Sequence, residues 1–230
     1  VLVVERDHDR NLGRHEFEPT IGSSVDAAAL LAERVQELRD DRSHGASWMA
    51  RRAVETLAEL TRLEVRTCED LLEQLRDAGR ELAACRPGVG AVAGAVGRVL
   101  AAAGHESHLE VDDLRRLIQE EAQALDDARR RAAASITIQL RERLNGGTIV
   151  THSASGTVRE AFQQSEPAKV ICTVSEPVGE GRAFAEEWRA AGLDTELVDD
   201  AEAPDRVADA SIVLIGADTV FRDGTICNKV

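Results

Sequence analysis

The chain has 230 residues and 43% hydrophobic content, so it is long enough to bury one large core or two small ones. Its 42 acidic and 28 basic residues give a net charge of −14, which disfavours direct binding to nucleic acid or to an anionic membrane surface. No apolar stretch approaches the ~20 residues needed to span a bilayer and no signal peptide opens the chain, so a cytoplasmic protein is expected.

The first 144 residues show helical periodicity after an opening segment that receives no assignment. Residues 1–22 have no clear period beyond a short β-like run. Apolar residues then recur at three- and four-residue spacing in five segments, near residues 24–39, 47–60, 65–82, 89–103 and 111–144. The pattern predicts an all-helical domain over residues 23–144.

The period changes to short, β-branched runs after Asn145-Gly146-Gly147. Four runs predict buried strands, at residues 148–151, 170–174, 195–198 and 211–215. Helical segments near 157–164 and 180–191 separate the first three, and Asp223-Gly224 predicts a tight turn. Alternating β and α segments at this spacing imply right-handed crossovers and a parallel sheet. The predicted fold class is therefore α/β, with a Rossmann-like domain over residues 145–230 following the helical domain.

The four cysteines predict neither a metal site nor a disulfide. They share no CxxC spacing, and two of them lie in apolar runs where a thiol behaves as a small hydrophobe. Reduced core cysteines are the preferred interpretation, and a metal site or disulfide is the alternative. No cofactor is predicted.

Polar residues follow most of the predicted strands, at the end of an open α/β sheet where ligands bind. The first strand leads into Thr151-His152-Ser153-Ala154-Ser155-Gly156 and a helix, and these hydroxyls and amides are suited to hold a phosphate. Ordinary helix capping explains the same residues equally well. Gly216-Ala217-Asp218 places a carboxylate beside this loop, although a lone aspartate there is often structural.

Several linked motifs resemble the initiation factor 2B family, and the resemblance covers residues 24–230. The motifs are residues 145–153, Glu180-Gly181-Arg182, Gly216-Ala217-Asp218 and residues 223–229, in the family's order and spacing. His44-Gly45-Ala46 is similar to the family's Arg-Gly-Ala segment, and Arg86-Pro87-Gly88-Val89 to its Arg-Pro-Thr-Ala-Val segment. That family contains the α, β and δ subunits of eukaryotic initiation factor 2B, archaeal relatives, ribose-1,5-bisphosphate isomerase and methylthioribose-1-phosphate isomerase.

The resemblance implies a helical domain, a Rossmann-like domain and a homodimer or larger assembly that pairs through the second domain. Family members continue beyond the position of Val230, so the sheet domain is expected to be truncated at its C-terminus.

Two departures from the family pattern bear on catalysis. The isomerases carry a cysteine after Thr-His and use it with the aspartate of Gly-Ala-Asp for proton transfer between aldose and ketose. Ser153 stands there in this chain, and a hydroxyl gives up its proton far less readily than a thiol unless a base activates it. Glu176 replaces an arginine that would bind phosphate, which should weaken anion binding. Both departures argue against catalysis, whereas Asp218, the second catalytic position of the isomerases, is retained and favours it.

The resemblance implies a set of site residues. Asp218 and Ser153 match the catalytic positions, and the ligand contacts would come from His44, Gly45, Arg86, Ser155, Arg182, Asn228 and Lys229. The preferred hypothesis is a non-catalytic, archaeal-type initiation factor 2B-like regulatory subunit whose pocket senses a sugar phosphate or nucleotide. The alternatives are an aldose-ketose isomerase of the ribose-1,5-bisphosphate type and an assembly subunit with an empty pocket.

Overall fold

The computed structural model describes residues 24–42, 44–62, 64–104 and 109–228. The unassigned segment 1–22 and the predicted ligand residue Lys229 lie outside the described residues. Helices come first along the chain and a parallel sheet follows, which confirms the predicted α/β class with a helical N-terminal region. The proposed domain boundary at residues 144 and 145 stays a prediction.

Five helices form the N-terminal region, and their apolar stripes meet in one core. They are α1 (Ser24–Asp40), α2 (Ala46–Leu60), α3 (Cys68–Ala84), α4 (Gly90–Gly104) and α5 (Val111–Leu144). Each helix contributes a side chain with no exposed surface: Leu38, Leu57, Leu75, Val92 and Leu114. Full burial of a side chain of this size stabilises the fold by about 1.5–3 kcal/mol. None of the described helices is both long enough and apolar enough to cross a bilayer.

Four parallel strands form the sheet of the C-terminal region. They are β1 (Thr148–Thr151), β2 (Lys169–Thr173), β3 (Thr195–Val198) and β4 (Ile212–Val213), in the order β3-β2-β1-β4. The helices between them are α6 (Gly156–Gln163), α7 (Glu180–Ala190) and α8 (Ala203–Ala208), and an antiparallel hairpin of β5 (Thr219–Val220) and β6 (Ile226–Cys227) follows. The hairpin turns at Gly224, whose φ of +87° favours glycine.

The sheet packs α6 and α7 on one face and forms a second core there. Ile149, Val170 and Cys172 of the sheet belong to one buried cluster with Phe162 of α6 and Phe184 of α7. All four cysteines are free thiols, and burial raises the pKa of the Cys172 thiol to about 12. The interpretation of Cys172 as a core residue therefore agrees with its environment.

Helix α7 begins unusually close to the end of β2. A Cβ atom on Gly181 would lie 1.8 Å from the carbonyl oxygen of Thr173, so only glycine fits at this contact. The contact places Glu180, the first residue of α7, at the carboxyl end of the sheet.

The strand order creates a crevice between β1 and β4. The chain leaves β1 towards β2 on one side, and β4 pairs with β1 on the other, which is the topological switch point where such sheets bind ligands. Thr219, the first residue of β5, connects this edge of the sheet to the helical region. Its hydroxyl accepts a hydrogen bond from Gly90 N at 2.8 Å and donates one to the Gly88 carbonyl at 2.9 Å.

Candidate functional site

A cavity of about 690 Å³ opens at the switch point, with walls from both the helical region and the sheet region. Seven of the nine residues that the sequence suggested line it: His44, Gly45, Arg86, Ser153, Ser155, Asp218 and Asn228. Arg182 is not among the lining residues, and Lys229 lies outside the described part of the chain. Parallel strands and the helical wall thus bring most of the predicted site together.

Ser153 follows β1 and is held in a specific orientation. Its φ of +67° lies in the left-handed region, a conformation that costs about 1–3 kcal/mol for a non-glycine residue. Its hydroxyl donates to Glu180 Oε1 at 2.7 Å, and its backbone N–H donates to Ser175 Oγ at 2.7 Å. The serine therefore stands against a carboxylate, which the sequence did not predict.

The loop after β2 supports Ser153 through a chain of buried hydroxyls. Ser175 is fully buried, also has a positive φ of 66°, and lies 3.0 Å from the Thr173 hydroxyl. His152 Nδ1 lies 2.6 Å from the same Thr173 hydroxyl. The contact with Thr173 agrees with a structural role for His152.

Asp200 fixes the backbone of the same loop. Its carboxylate accepts Ser175 N at 2.7 Å and Glu176 N at 2.8 Å. Burial alone would raise the pKa of Asp200, but these backbone hydrogen bonds and the nearby His152 and Thr173 outweigh it and lower the pKa.

Ser155 caps α6 at the edge of the cavity. Its Oγ accepts the backbone N–H of Val158 at 3.4 Å, so the capping interpretation is observed in the structure. Gly216, on the segment after β4, packs against this serine: a Cβ atom at position 216 would lie 2.9 Å from Ser155 Oγ. Gly156 and Thr157 at the start of α6 also line the cavity, so capping does not remove the helix terminus from the site.

Asp218 and Asn228 reach the cavity from the hairpin. The backbone N–H of Asp218 donates to the Cys227 carbonyl at 2.8 Å, which ties the segment before β5 to the end of β6. The hairpin thereby places the Asp218 carboxylate in the same cavity as Ser153.

On the opposite wall, His44 and Trp48 form an aromatic stack. Their ring centroids are 4.0 Å apart with an interplanar angle of 13°. Asp41 holds the histidine in place: Oδ1 accepts His44 N at 2.8 Å, and Oδ2 lies 2.6 Å from His44 Nδ1. Gly45 follows directly and precedes α2.

Arg86 and Arg42 lie beside this stack and bind backbone oxygens at the end of α1. Arg86 Nη1 donates to the carbonyl oxygens of Arg39 at 3.2 Å and Asp41 at 3.0 Å. Arg42 Nη1 donates to the same two carbonyls at 2.7 and 2.8 Å. Carbonyl oxygens carry no formal charge, so these bonds do not cancel the positive charge of either guanidinium group.

Residues 42–230 match the family described as the initiation factor 2 subunit family, which is more than half of the chain. The chain belongs to this family. Its relatives include a translation initiation factor eIF-2B subunit 2-like protein of Pyrococcus horikoshii, 33% identical over 214 residues that cover 87% of this chain and 71% of that protein. They also include a ribose 1,5-bisphosphate isomerase of Archaeoglobus fulgidus, 25% identical over 87% of this chain and 64% of that protein.

Solved structures show the same fold as this initiation factor 2 subunit family member. The translation initiation factor eIF-2B of Pyrococcus horikoshii OT3 superposes with a TM-score of 0.67 at 27% identity, over 85% of this chain and 69% of that one. A tetrameric eIF2B-beta2-delta2 complex of C. thermophilum gives a TM-score of 0.69 at 20% identity, over 86% of this chain and 69% of that one. The resemblance to the initiation factor 2B family, with its isomerase relatives, is thus confirmed.

Arg182 lies on the protein surface beside Glu176, the residue that replaces the family's phosphate-binding arginine. Arg182 Nη2 lies 3.3 Å from Glu176 Oε1, and more than half of each side chain is exposed. The two charges therefore pair with each other, and a ligand contact by Arg182 stays a prediction.

Several cavity residues were missed by the sequence reasoning. They are Arg42, Trp48, Arg51, Arg129, Arg159 and Glu180. Glu180 belongs to the recognised motif Glu180-Gly181-Arg182, of which only Arg182 was predicted to contact a ligand, so its position at the start of α7 was a usable signal. Arg51 and Arg129 lie within helices whose cavity-facing side is decided by packing between the two regions, which periodicity alone does not reveal.

Proposed function

We propose that the chain is a non-catalytic, initiation factor 2B-like regulatory subunit whose cavity senses a sugar phosphate or a nucleotide. The observation that carries this proposal is that Ser153 stands in the cavity at the position of the isomerase cysteine. Among the described residues that line the cavity there is no cysteine. A pocket without the thiol retains the means to bind but lacks the usual proton shuttle.

The cavity contains the groups that recognise a phosphorylated ligand. Guanidinium groups bind phosphate through charge-assisted, often bidentate hydrogen bonds, and Arg42, Arg51 and Arg86 line the helical wall. The stack of His44 on Trp48 offers a flat apolar surface beside them. Sugar or ribose hydroxyls would find polar partners at Ser153 and Asp218 on the sheet wall.

An aldose-ketose isomerase is the second candidate, and the Ser153–Glu180 contact favours it. A serine requires a base to take part in proton transfer, and a carboxylate lies 2.7 Å from this hydroxyl. Asp218 stands in the same cavity and would supply the second group that moves a proton. Relatives named ribose 1,5-bisphosphate isomerase make this reaction class the natural one to test.

Paired measurements of ligand binding and turnover test the proposal. Ribose 1,5-bisphosphate, methylthioribose 1-phosphate and nucleoside monophosphates are titrated in thermal-shift experiments, and the two sugars are also assayed for isomerisation. Stabilisation without turnover is expected, because bound ligand raises the melting temperature by mass action. Turnover that disappears in Asp218→Asn would establish the isomerase instead, and the absence of both responses would contradict both candidates.

A matched pair of arginine variants links any stabilisation to the cavity. Arg42→Gln removes a charge from the helical wall and is expected to weaken binding about 10- to 100-fold, the effect of losing one charge-assisted hydrogen bond. Arg141→Gln makes the same change on the exposed surface of α5, away from the cavity, and should leave binding unchanged. Equal weakening by both variants would indicate a non-specific charge effect.

The proposal includes assembly into a homodimer or a larger oligomer. The support is the tetrameric eIF2B-beta2-delta2 complex among the structures of the same fold. Sedimentation velocity at several concentrations measures the mass directly. A cytoplasmic location and the lack of direct nucleic-acid binding remain expectations from the sequence.

A further inference from the structure

Three large apolar side chains that remain exposed come together in the cavity, although they are far apart in the sequence. Ile136 lies on α5, Val178 precedes α7 and Ile215 follows β4, and their exposed fractions are 40%, 51% and 39%. Exposed apolar side chains that are scattered singly over a surface need no explanation. These three come from three separate elements and line one concave site, which is where the apolar groups of small ligands bind.

Two partly buried leucines connect this apolar wall to the core of the sheet region. Leu140 lies one turn after Ile136, so both side chains are on the same face of α5. Leu214 directly precedes Ile215 in the segment after β4. Both leucines line the cavity and also pack against the buried cluster between the sheet and the helices α6 and α7. The apolar wall is therefore anchored to a packed core.

We propose that the ligand of this cavity carries, in addition to its phosphate, a hydrocarbon group of several carbons. This group lies against Ile136, Val178 and Ile215. The inference rests on the proposed function, because it names the class of phosphorylated ligand that the same cavity takes.

The chemistry of the apolar wall favours a hydrocarbon group over a hydroxyl-bearing one. A hydrocarbon group that covers Ile136, Val178 and Ile215 removes apolar surface from water on both the ligand and the protein, which is favourable. Hydroxyl groups in the same place would lose hydrogen bonds to water and gain none, because these side chains neither donate nor accept. This part of the cavity therefore discriminates between ligands by their apolar surface.

The position of these side chains inside a cavity favours a small molecule over a protein partner. The cavity volume of about 690 Å³ lies within the roughly 300–1,000 Å³ that is typical of small-molecule sites. Arg42 and Arg86 line the same cavity as the apolar wall. A molecule with an anionic end and an apolar end therefore matches both kinds of group.

Calorimetric titration of the full chain with ethyl, butyl and hexyl phosphate tests the inference. Each added methylene group should tighten binding about two- to fourfold, because complete transfer of one CH₂ group out of water corresponds to about fourfold. Inorganic phosphate, which has no hydrocarbon group, provides the reference affinity. A steady gain from ethyl to hexyl phosphate is the expected result.

Two isoleucines on α5 provide a matched pair of variants. Ile136 lines the cavity, whereas Ile138 is 75% exposed and is not among the lining residues of this cavity. Ile136→Asn should lower the preference for hexyl over ethyl phosphate at least about threefold and leave the binding of inorganic phosphate unchanged, because the amide replaces apolar surface with a group that requires hydration. Ile138→Asn makes the same change outside the cavity and should leave both affinities as in the wild-type protein.

The possible results separate this inference from the proposed function. If the alkyl phosphates bind without a gain from longer chains, or if both variants change the preference equally, the inference is overturned and a phosphate-sensing cavity remains. Absence of binding by alkyl phosphates, sugar phosphates and nucleoside monophosphates overturns the proposed function together with the inference. Thermal melting curves of the unliganded variants verify that they fold, and the wild-type series is a test in its own right if Ile136→Asn does not.

Discussion

The carboxylate of Asp200 binds two successive backbone N–H groups, although this residue does not line the cavity. The residues it holds, Ser175 and Glu176, lie in the loop whose Ser175 hydroxyl accepts the backbone N–H of Ser153. An ionised carboxylate can accept both bonds at once, whereas an amide offers one oxygen and turns an N–H group towards the second donor. Asp200 thus shapes the site through the backbone.

We expect Asp200→Asn to lower the free energy of unfolding by about 0.5–1.5 kcal/mol at pH 7, because one of the two backbone N–H groups loses its carboxylate acceptor. The pKa of Asp200 is lowered in the folded protein, so its contribution is present above the unfolded value of about 3.9 and is lost as the pH falls through the folded pKa. Urea unfolding at pH 7 and pH 3 measures the difference in the free energy of unfolding between the wild-type protein and the variant. This difference should be smaller at pH 3.

The neighbouring exposed residue provides the control for this change. Asp199→Asn should have little effect at either pH, since exposed substitutions usually change stability by no more than about 0.5 kcal/mol. If Asp200→Asn lowered the free energy of unfolding by the same amount at both pH values, the Asp200 carboxylate would not act through these hydrogen bonds.

Some single residues of the site were predictable and others were not. Ser153 and Asp218 could be placed together, because the carboxyl ends of parallel strands meet at one edge of the sheet. The hydrogen bond between Ser153 and Glu180 depends on how closely α7 approaches β2, which Gly181 permits. A distance of this kind is a property of packing, and the sequence pattern contains no measure of it.

At the scale of elements, three aromatic rings join α6 and α7 to the sheet. The Trp188 ring lies edge-on to Phe162 at 5.4 Å and to Phe184 at 5.9 Å. Edge-to-face pairs of this kind add about 0.5–1.5 kcal/mol each beyond the area they bury. The cluster holds both helices that carry cavity residues at their N-termini.

Phe162→Ala is expected to lower the free energy of unfolding by about 3–5 kcal/mol, because it removes a ring that is only 1% exposed and leaves a cavity. Phe221→Ala makes the same chemical change in the hairpin, where the ring is 53% exposed, and should cost at most about 0.5 kcal/mol. Urea unfolding measures the free energy of unfolding of both variants. Similar decreases for the two would contradict the assignment of Phe162 to the core.

The sequence predicted the long helices and strands well and the short elements poorly. All five N-terminal helices and the first three strands lie within a few residues of the predicted ranges. The fourth predicted strand, residues 211–215, is reduced to Ile212–Val213, and the six-residue helix α8 was missed. Short elements contain too few repeats of their period for a pattern to be recognised. Val213 was predicted to lie in a buried strand because it is apolar, but it is 46% exposed.

At the scale of the whole molecule, Thr219 connects the helical region to the hairpin. Its hydroxyl accepts from Gly90 N and donates to the Gly88 carbonyl, so one oxygen satisfies two backbone groups at the start of α4. The two regions share the cavity, and this bridge lies near its edge. Stability and ligand binding should therefore both depend on it.

We expect Thr219→Val to lower the free energy of unfolding by about 1–3 kcal/mol and to weaken ligand binding, because two backbone groups lose their partner while the side-chain shape is kept. Thr225→Val also removes a hydroxyl, but that hydroxyl donates to Asp223 within the exposed hairpin turn and does not join the two regions. Thermal unfolding with and without ligand compares the two variants. A larger effect on binding for Thr225→Val would argue against the bridge between regions.

The contact between Ser155 and Gly216 has a consequence for how this cavity can change during evolution. A Cβ atom at position 216 would lie 2.9 Å from Ser155 Oγ and 3.0 Å from its Cβ, so any larger residue at 216 collides with the cap of α6. Only glycine at 155 would remove both of these atoms, and it would leave the start of α6 without its hydroxyl acceptor. A larger residue at position 216 therefore requires a change at position 155, 61 residues earlier in the sequence, and that change removes the cap of α6.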